Sequence, residues 1–347
     1  MLESTPLNRR VQALNLPPLA QTKDGRVAAV TLLDTALAST NLGDEIIMEA
    51  VRRELDGLFD DRLTFTVASH EWMGAQSRMV IRRSSLAIAG GTNLLSSRMW
   101  FRPNWKLRPW DAALGQRVVL MGVGWYQYQG GPDPYSAWLI SSLLSKSWLH
   151  SVRESLAAEM LASIGVHNVI NTGCPTIWRL TPDACARIPG RKADTVLTTV
   201  NSYGGLKNVE ADRRMLELLK RAYGSVHLWV QTHSDYEYAN SLTDGLTFVS
   251  PNLRSLDAAL NAPVELDYVG NRLHAGIRAL QHGRRAIIVE IDNRAREMGK
   301  DFGLPTVARH DFDKLQAMIS EPFQIAVRPP LDAIAQWKRQ FQTGAPQ

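Results

Sequence analysis

The chain has 347 residues, of which 45% are hydrophobic and 21% charged, so it has the composition of a globular protein and the length of two ordinary domains. Disordered and fibrous classes are excluded, and no uninterrupted apolar run approaches the roughly 18 to 20 residues of a membrane helix. The formal net charge of +5 and the 30 arginines among the 39 basic residues suit an anionic substrate or an anionic membrane surface, although codon bias explains the excess of arginine equally well. We expect a cytoplasmic protein without a disulfide framework, since there are only two cysteines.

Short apolar runs alternate with amphipathic stretches along the first half of the chain. Runs rich in Val, Ile and Leu predict buried strands at 27–33, 63–68, 86–89, 118–123 and 169–171. Apolar residues at helical spacing predict helices at 45–58 and 155–164. This alternation of strands and helices predicts a parallel sheet covered by helices.

Three prolines, Pro175, Pro182 and Pro189, interrupt this alternation and indicate a domain boundary. The alternation then resumes with strands predicted at 195–200, 226–231, 266–269 and 286–291, and helices at 209–223, 253–261, 273–282, 294–302 and 331–341. The predicted organisation is an N-terminal extension (1–24), a Rossmann-like domain (25–175), a linker (176–193), a second Rossmann-like domain (194–328) and a C-terminal helix (329–347) that packs back on the first domain. The predicted fold class is α/β, with two Rossmann-like parallel-sheet domains facing a cleft.

The strongest local motif is the segment 270–276, Gly-Asn-Arg-Leu-His-Ala-Gly, where a predicted strand ends and a helix begins. A helix N-terminus at the carboxyl edge of a parallel sheet offers free N–H groups to an anion. Arg272 adds a cation, and His274 can donate or accept a proton near neutral pH. The alternative is an ordinary basic helix start with a histidine bonded to the backbone.

Two further polar segments follow predicted strands of the first domain. Asn41 and Asp44 lie in a turn that either simply caps a helix or forms a polar lip able to bond hydroxyl groups. Gly91, Thr92 and Asn93 follow a third strand, where the paired glycines 90 and 91 would let the backbone approach a ligand.

An arginine and an aromatic segment complete the candidate residues of the first domain. Arg153 precedes a helix and either reaches an anion across the cleft or forms a surface pair with Glu154. Trp125, Tyr126 and Tyr128 directly follow a strand, and aromatic rings can stack on sugars or pack a loop against the core.

Taken in order, Asn-Leu-Gly-Asp-Glu (41–45), Gly-Gly-Thr-Asn (90–93), Arg-Glu-Ser (153–155) and Arg-Leu-His-Ala (272–275) resemble the polysaccharide pyruvyl transferases. The resemblance extends from about residue 27 to residue 307. It implies a GT-B-like pair of domains that transfers a pyruvyl group from phosphoenolpyruvate to two hydroxyls of a sugar, giving a cyclic ketal and phosphate. Two positions depart from the family's pattern. The segment that closes the first domain has Cys174 where the family usually has an acidic residue, and the segment after the last predicted strand has Arg294 where the family often has a lysine.

The resemblance implies a division of the site between the two domains. Its catalytic residues would be Arg153, Arg272 and His274, and the phosphoenolpyruvate-binding residues would be Arg153, Asn271, Arg272, His274 and Arg294. The acceptor-binding residues would be Asn41, Asp44, Gly91, Thr92, Asn93, Trp125, Tyr126 and Tyr128. Phosphoenolpyruvate is the co-substrate, with no further cofactor and no metal expected.

The implied partner is a saccharide in exopolysaccharide or cell-surface glycan biosynthesis, in lipid-linked form, which would bring the protein to the inner face of the membrane. Nucleic acid is not expected. Two alternatives stay open, namely a GT-B glycosyltransferase that uses a sugar nucleotide and a non-catalytic saccharide-binding protein of the same fold. A ribose-binding carboxylate, with Glu290 and Asp292 as the candidates, would favour the glycosyltransferase.

Overall fold

Three parallel sheets, of four, two and six strands, form two domains in the computed structural model, which describes residues 20–21, 25, 27–202 and 204–342. Of the expected N-terminal extension only Ala20 and Gln21 are described, and residues 343–347 of the expected C-terminal segment lie outside the described residues. The predicted fold class is confirmed, since every ladder between the described strands is parallel.

The first domain has a four-stranded sheet in the order β2-β1-β3-β4. A two-stranded sheet of β5 and β6 continues it, because Val123, just beyond β4, forms a bridge with Val152 of β5. The elements are β1 (Ala29–Asp34), α1 (Leu42–Leu55), β2 (Leu63–Ala68), α2 (Ala75–Arg83), β3 (Leu86–Gly90), β4 (Val118–Met121), α3 (Pro134–Leu143), β5 (His150–Val152), α4 (Ser155–Ala162) and β6 (Val169–Asn171).

The second domain has a six-stranded sheet in the order β12-β11-β10-β7-β8-β9, the doubly wound arrangement of dinucleotide-binding folds. Its strand order reverses between β7 and β10. Its elements, after the short helix α5 (Pro182–Ala186), are β7 (Thr195–Thr198), α6 (Val209–Ala222), β8 (Ser225–Trp229), α7 (Asp235–Leu242), β9 (Thr247–Val249), α8 (Leu253–Leu260), β10 (Leu266–Gly270), α9 (Leu273–Gln281), β11 (Ala286–Glu290), α10 (Asn293–Phe302), β12 (Thr306–Ala308) and α11 (Phe312–Ser320).

Some local predictions were wrong or incomplete. The strand at 63–68 was predicted to be buried, but it is the edge strand of its sheet and most of its residues are exposed. Three of the strands that have only three residues, β5, β9 and β12, were not predicted.

The last helix, α12 (Leu331–Gln342), returns to the first domain. Its Phe341 packs edge-on against Phe59 and stacks on Trp148, with ring centroids 5.3 Å apart in both pairs. Gln340 accepts a hydrogen bond from the backbone N–H of Leu149 at 2.7 Å. These contacts tie the end of the chain to the domain in which it begins.

The two domains also meet directly through buried apolar side chains. One core cluster contains Ile47 of α1 in the first domain together with Leu273 and Ile277 of α9 in the second. Polar bonds cross the same boundary, such as that from the Gln231 amide to the Asn41 side chain at 2.7 Å. In the described part of the chain, no helix combines the length and the apolar character needed to cross a membrane.

Candidate active site between the two domains

A cavity of about 350 Å³ lies between the two domains, where the carboxyl ends of both sheets face each other. In open α/β sheets this is the edge at which ligands bind, at the points where strand order reverses. Both domains contribute to its wall, which is lined by Asn41, Asp44, His70, Thr92, Asn93, Pro103, Asn104, Lys106, Tyr126, Gln127, Gly205, Leu206, Asp292 and Arg294.

The turn between β1 and α1 forms the first-domain wall of this cavity. Asn41 caps α1 by accepting a hydrogen bond from the N–H of Gly43 at 3.1 Å. Asp44 accepts a hydrogen bond from the hydroxyl of Ser39 at 2.6 Å, and burial raises the pKa of its carboxyl group. The turn is therefore both a helix cap and a polar wall, so the two alternatives left open by the sequence are compatible.

The turn after β3 places Thr92 and Asn93 in the cavity wall but keeps Gly91 out of it. Gly91 has a φ of 60°, and a Cβ at this position would overlap the side chain of Ile47. The backbone thus approaches helix α1 closely, and the expectation that Gly91 allows a ligand to approach was wrong.

Arg272, at the N-cap of α9, is buried and already paired. Its Nη2 donates to both carboxylate oxygens of Asp235 at 2.7 Å, and its Nε donates to the carbonyl of Val200 at 3.0 Å. Asp235 is fully buried and also accepts from the N–H of Thr232 at 3.0 Å. These bonds hold the guanidinium within the second domain. Arg272 therefore fixes the turn between β10 and α9, and it does not line the large cavity.

His274, two residues further on, is buried at the domain boundary. Its Nε2 lies 3.7 Å from the Sγ of Cys174, which belongs to the segment following β6 of the first domain. Burial, together with the positive charges of Arg294 and Arg153, lowers the pKa of His274 well below its ordinary value. The imidazole is therefore neutral at pH 7, and it contacts a thiol.

A second and much smaller cavity of about 20 Å³ adjoins His274 and Arg272. It shares Asn41, Asp292 and Arg294 with the large cavity, so these three residues stand between the two spaces. Asn271 also lines this small space, and its amide donates to Asp212 at 3.1 Å.

Arg153 is fully buried beside the cleft, in contact with residues of two other loops. Its Nε donates to Glu154 at 2.6 Å, and its Nη2 donates to Asn93 in the cavity wall. A Cβ at Gly124 would overlap its guanidinium, so the glycine makes room for it. In the described part of the chain, Nη1 of Arg153 has no hydrogen-bond partner. The pair with Glu154 exists, but it is buried rather than on the surface.

Arg294, in the first turn of α10, is the cation that reaches both cavities. Its Nε donates to the carboxylate of Asp292 at 2.7 Å. Burial opposes ionisation of Asp292, but the charges of Arg294 and Arg153 outweigh it and lower the pKa of this carboxyl group. Arg153, Arg294 and His274 thus share one electrostatic environment at the inner end of the cleft.

The three aromatic residues predicted to bind the acceptor occupy three different environments. The prediction for Trp125 was wrong, because the ring is fully buried in the first-domain core and its Nε1 donates to Ser97 at 3.2 Å. Tyr126 is half-buried and lines the cavity. Tyr128 points away to Glu297, with its hydroxyl donating at 2.6 Å, and lines a neighbouring cavity of about 510 Å³.

Sequence reasoning missed two ionisable residues of the cavity wall, His70 and Lys106. His70 lies two residues after the end of β2, so its position after a strand of the predicted sheet could have identified it. Lys106 lies in the long connection between β3 and β4, and nothing in its local sequence indicates the cavity.

Taken together, the two open parallel sheets and the cavity between their carboxyl edges define a two-domain α/β protein of the GT-B kind. The sequence model of the polysaccharide pyruvyl transferase family matches residues 41–293 of the chain, which include both polar turns of the cleft. The chain therefore belongs to the polysaccharide pyruvyl transferase family, and the resemblance in its motifs is confirmed.

Similarity to solved structures concerns the fold alone, because sequence identities are low. The UDP-GlcNAc 2-epimerase of Methanocaldococcus jannaschii, in complex with UDP-GlcNAc and UDP, is similar with a TM-score of 0.53 and 9% identity, over 91% of this chain and 99% of that chain. The apo form of the lipopolysaccharide outer core galactosyltransferase WaaB gives a TM-score of 0.46 and 10% identity, over 90% and 95%. No curated protein is significantly similar in sequence.

Proposed function

We propose that this protein transfers a pyruvyl group from phosphoenolpyruvate to two hydroxyls of a saccharide, with release of phosphate. The observation that carries the proposal is the presence of two guanidinium groups, Arg153 and Arg294, at the inner end of the cleft, where their charges add to burial in lowering the pKa of His274. A donor with a carboxylate and a phosphate needs such an environment. Membership of the pyruvyl transferase family supports the same chemistry.

The donor binds in the larger cavity, with its anionic groups towards Arg294. The small cavity beside His274, at about 20 Å³, has room for no more than a water molecule. A movement that separates the domains at Asn41 and Arg294 would join the two spaces and bring the donor to His274. In this scheme the positive charge of Arg153 acts on His274 without touching the donor. Arg272 and Asn271 hold the turn that presents His274.

The reaction requires one proton to reach the donor and two to leave the acceptor. A first hydroxyl adds to C2 of phosphoenolpyruvate while C3 takes up a proton, and a second hydroxyl then displaces phosphate and loses its own proton. Asp44 lies in the cavity wall with a raised pKa, which suits a general base for a hydroxyl. His274 is neutral in the empty protein, and a bound phosphate would raise its pKa and allow it to become a proton donor.

The acceptor occupies the first-domain side of the same cavity. Asn41, Thr92 and Asn93 supply polar groups there, and Tyr126 supplies a ring face. We propose a lipid-linked oligosaccharide as the acceptor and no cofactor besides the co-substrate.

The glycosyltransferase alternative needs a carboxylate that is free to bind ribose, and neither candidate favours it. Glu290 accepts hydrogen bonds from Thr306 at 2.9 Å and from Arg296 at 3.1 Å, one on each oxygen. Asp292 caps α10 and pairs with Arg294. Both candidate ribose-binding acids therefore have protein partners already.

The decisive experiment incubates the purified protein with phosphoenolpyruvate and lipid-linked or free oligosaccharides. We expect release of inorganic phosphate that depends on the acceptor, and a product with the mass of a pyruvyl ketal. The His274→Asn variant should lose both signals while retaining its thermal stability. Transfer of a sugar from a sugar nucleotide, with no phosphate released from phosphoenolpyruvate, would overturn the proposal in favour of the glycosyltransferase.

A further inference from the structure

The connection between β3 and β4 carries most of the protruding aromatic surface of the first domain. Phe101 is 78% exposed, Trp100 63% and Trp110 55%. Trp138 of α3 and Trp72, which follows β2, are also exposed. Among the described residues, the exposed tryptophans are these four, at positions 72, 100, 110 and 138, and all lie in one region of the first domain. Monomeric proteins rarely leave such a group open to water without a partner.

These aromatic side chains form two linked groups. In the first, Tyr135 lies between Trp100 and Trp138, with ring centroids 5.2 Å and 6.0 Å away. In the second, the guanidinium of Arg108 lies over the rings of both Trp72 and Trp110, at 5.1 Å and 5.3 Å. The short helix Pro109–Leu114 that begins beside Trp110 packs on α3, which joins the two groups.

Positive charge is interspersed with these rings. The sixteen residues 95–110 contain Arg98, Arg102, Lys106 and Arg108 but no acidic residue. The next acid, Asp111, is fully buried and accepts a hydrogen bond from Arg78 at 2.5 Å, so it does not offset these cations at the surface. We name the five exposed aromatic residues and these four cations the aromatic–basic surface.

We propose that the aromatic–basic surface binds the face of an anionic lipid bilayer. Tryptophan and phenylalanine side chains insert at the boundary between headgroups and acyl chains, while arginine and lysine attract anionic headgroups. A protein partner would more commonly offer acidic side chains to a surface of this charge, but it gives no reason for four exposed tryptophans in one region of the first domain. Charge complementarity and ring type together therefore favour a lipid surface.

The same connection also forms part of the cleft. Pro103, Asn104 and Lys106 line the large cavity, and the Asn104 carbonyl lies 3.3 Å from Nδ1 of His70. Docking through Trp100 and Phe101 would therefore hold the mouth of the cavity close to the bilayer. That a lipid-linked saccharide then enters from the membrane rests on the proposed function, whereas binding to the bilayer does not.

The test measures sedimentation of the full chain with vesicles of phosphatidylcholine alone or mixed with phosphatidylglycerol. We expect binding to the mixed vesicles that weakens with salt, and at least tenfold weaker binding for Trp100→Ser/Phe101→Ser and for Arg98→Gln/Arg102→Gln. The matched control, Tyr236→Ser/Arg221→Gln, changes an exposed aromatic and an exposed cation of the second domain and should bind as the unchanged protein does.

Several outcomes would overturn the proposal. These are no binding to mixed vesicles, equal loss in the second-domain control, or a dimer of the unchanged protein that Trp100→Ser/Phe101→Ser converts to a monomer without any vesicle binding. Phosphate release with a water-soluble acceptor, measured on the same variants, separates this test from the proposed function, because we expect that activity to persist in them. Thermal unfolding of each variant confirms that it is folded.

Discussion

The two polar turns of the cleft occupy equivalent places in their domains but differ in what they offer a ligand. Each follows a strand at the reversal of strand order and begins a helix, at Asn41 in the first domain and Arg272 in the second. The first turn presents Asp44 to a cavity of about 350 Å³, whereas Arg272 is fully engaged by Asp235 beside a space of about 20 Å³. The topology therefore places polar groups at the carboxyl edge of each sheet. Their hydrogen-bond partners then decide which of these groups can bind a ligand.

Removing the charge of Arg272, in the second-domain turn, should have the largest effect, and this effect should be on stability. We expect Arg272→Ala to lower the free energy of unfolding by about 3 to 5 kcal/mol, because it leaves the buried Asp235 carboxylate unpaired. Chemical denaturation measures this change. Adding Asp235→Asn should recover part of the loss. If the single variant keeps its stability and only phosphoenolpyruvate binding weakens, Arg272 is a direct ligand instead.

Trp125 and Tyr126 are neighbours in the sequence, but one is buried in the core and the other lines the cavity, so variants of the two can be compared. We expect Trp125→Ala to lower the free energy of unfolding by about 3 to 5 kcal/mol, as other buried aromatic residues do, without changing the acceptor KM. Tyr126→Ala should instead raise the acceptor KM several-fold at nearly unchanged stability. Thermal unfolding and acceptor kinetics on both variants provide the check. A raised KM for Trp125→Ala with normal stability would contradict the assignment of Trp125 to the core.

Neutralising Asp44, in the first-domain turn, should affect activity more than stability. We expect Asp44→Asn to reduce kcat by about a hundredfold or more, the usual contribution of a general base, while its Ser39 partner is retained. In the unchanged protein, kcat should rise as pH increases through the raised pKa of Asp44, since the base acts when ionised. The exposed carboxylate variant Asp60→Asn serves as the control. Equal kcat values for the two variants would remove Asp44 from the reaction.

Acid sensitivity should come from buried histidines that cannot accept a proton. Burial lowers the pKa of His150 to about 4, and its Nδ1 accepts a hydrogen bond from the N–H of Leu120. The unfolded chain binds this proton below pH 6.5, so stability is present above that pH and is lost as pH falls towards 4. Between pH 7 and pH 5 the loss is about 2 kcal/mol.

Denaturation at both pH values compares the protein with His150→Gln, in which we expect this part of the pH dependence to disappear. His274, with its lowered pKa, contributes in the same direction and should preserve the remainder. A variant with unchanged pH dependence would show that His150 is protonated in the folded state.

The sequence alone determined the alternation of strands and helices, the fold class, the family and the position of both polar turns. These follow from local signals, because hydrophobic periodicity extends over neighbouring residues and the motifs lie at strand ends. It also identified Asn41, Asp44, Thr92, Asn93, Tyr126 and Arg294, all of which line the large cavity.

Only the tertiary structure decided which candidates are accessible. Arg272 meets Asp235 from 37 residues away in the chain, and Cys174 meets His274 from 100 residues away. Trp125 and Tyr126 are adjacent in sequence, yet one ring packs in the core and the other lines the cavity. Burial and ion pairing depend on side chains that distant segments bring into contact, and a single sequence contains no local record of those contacts.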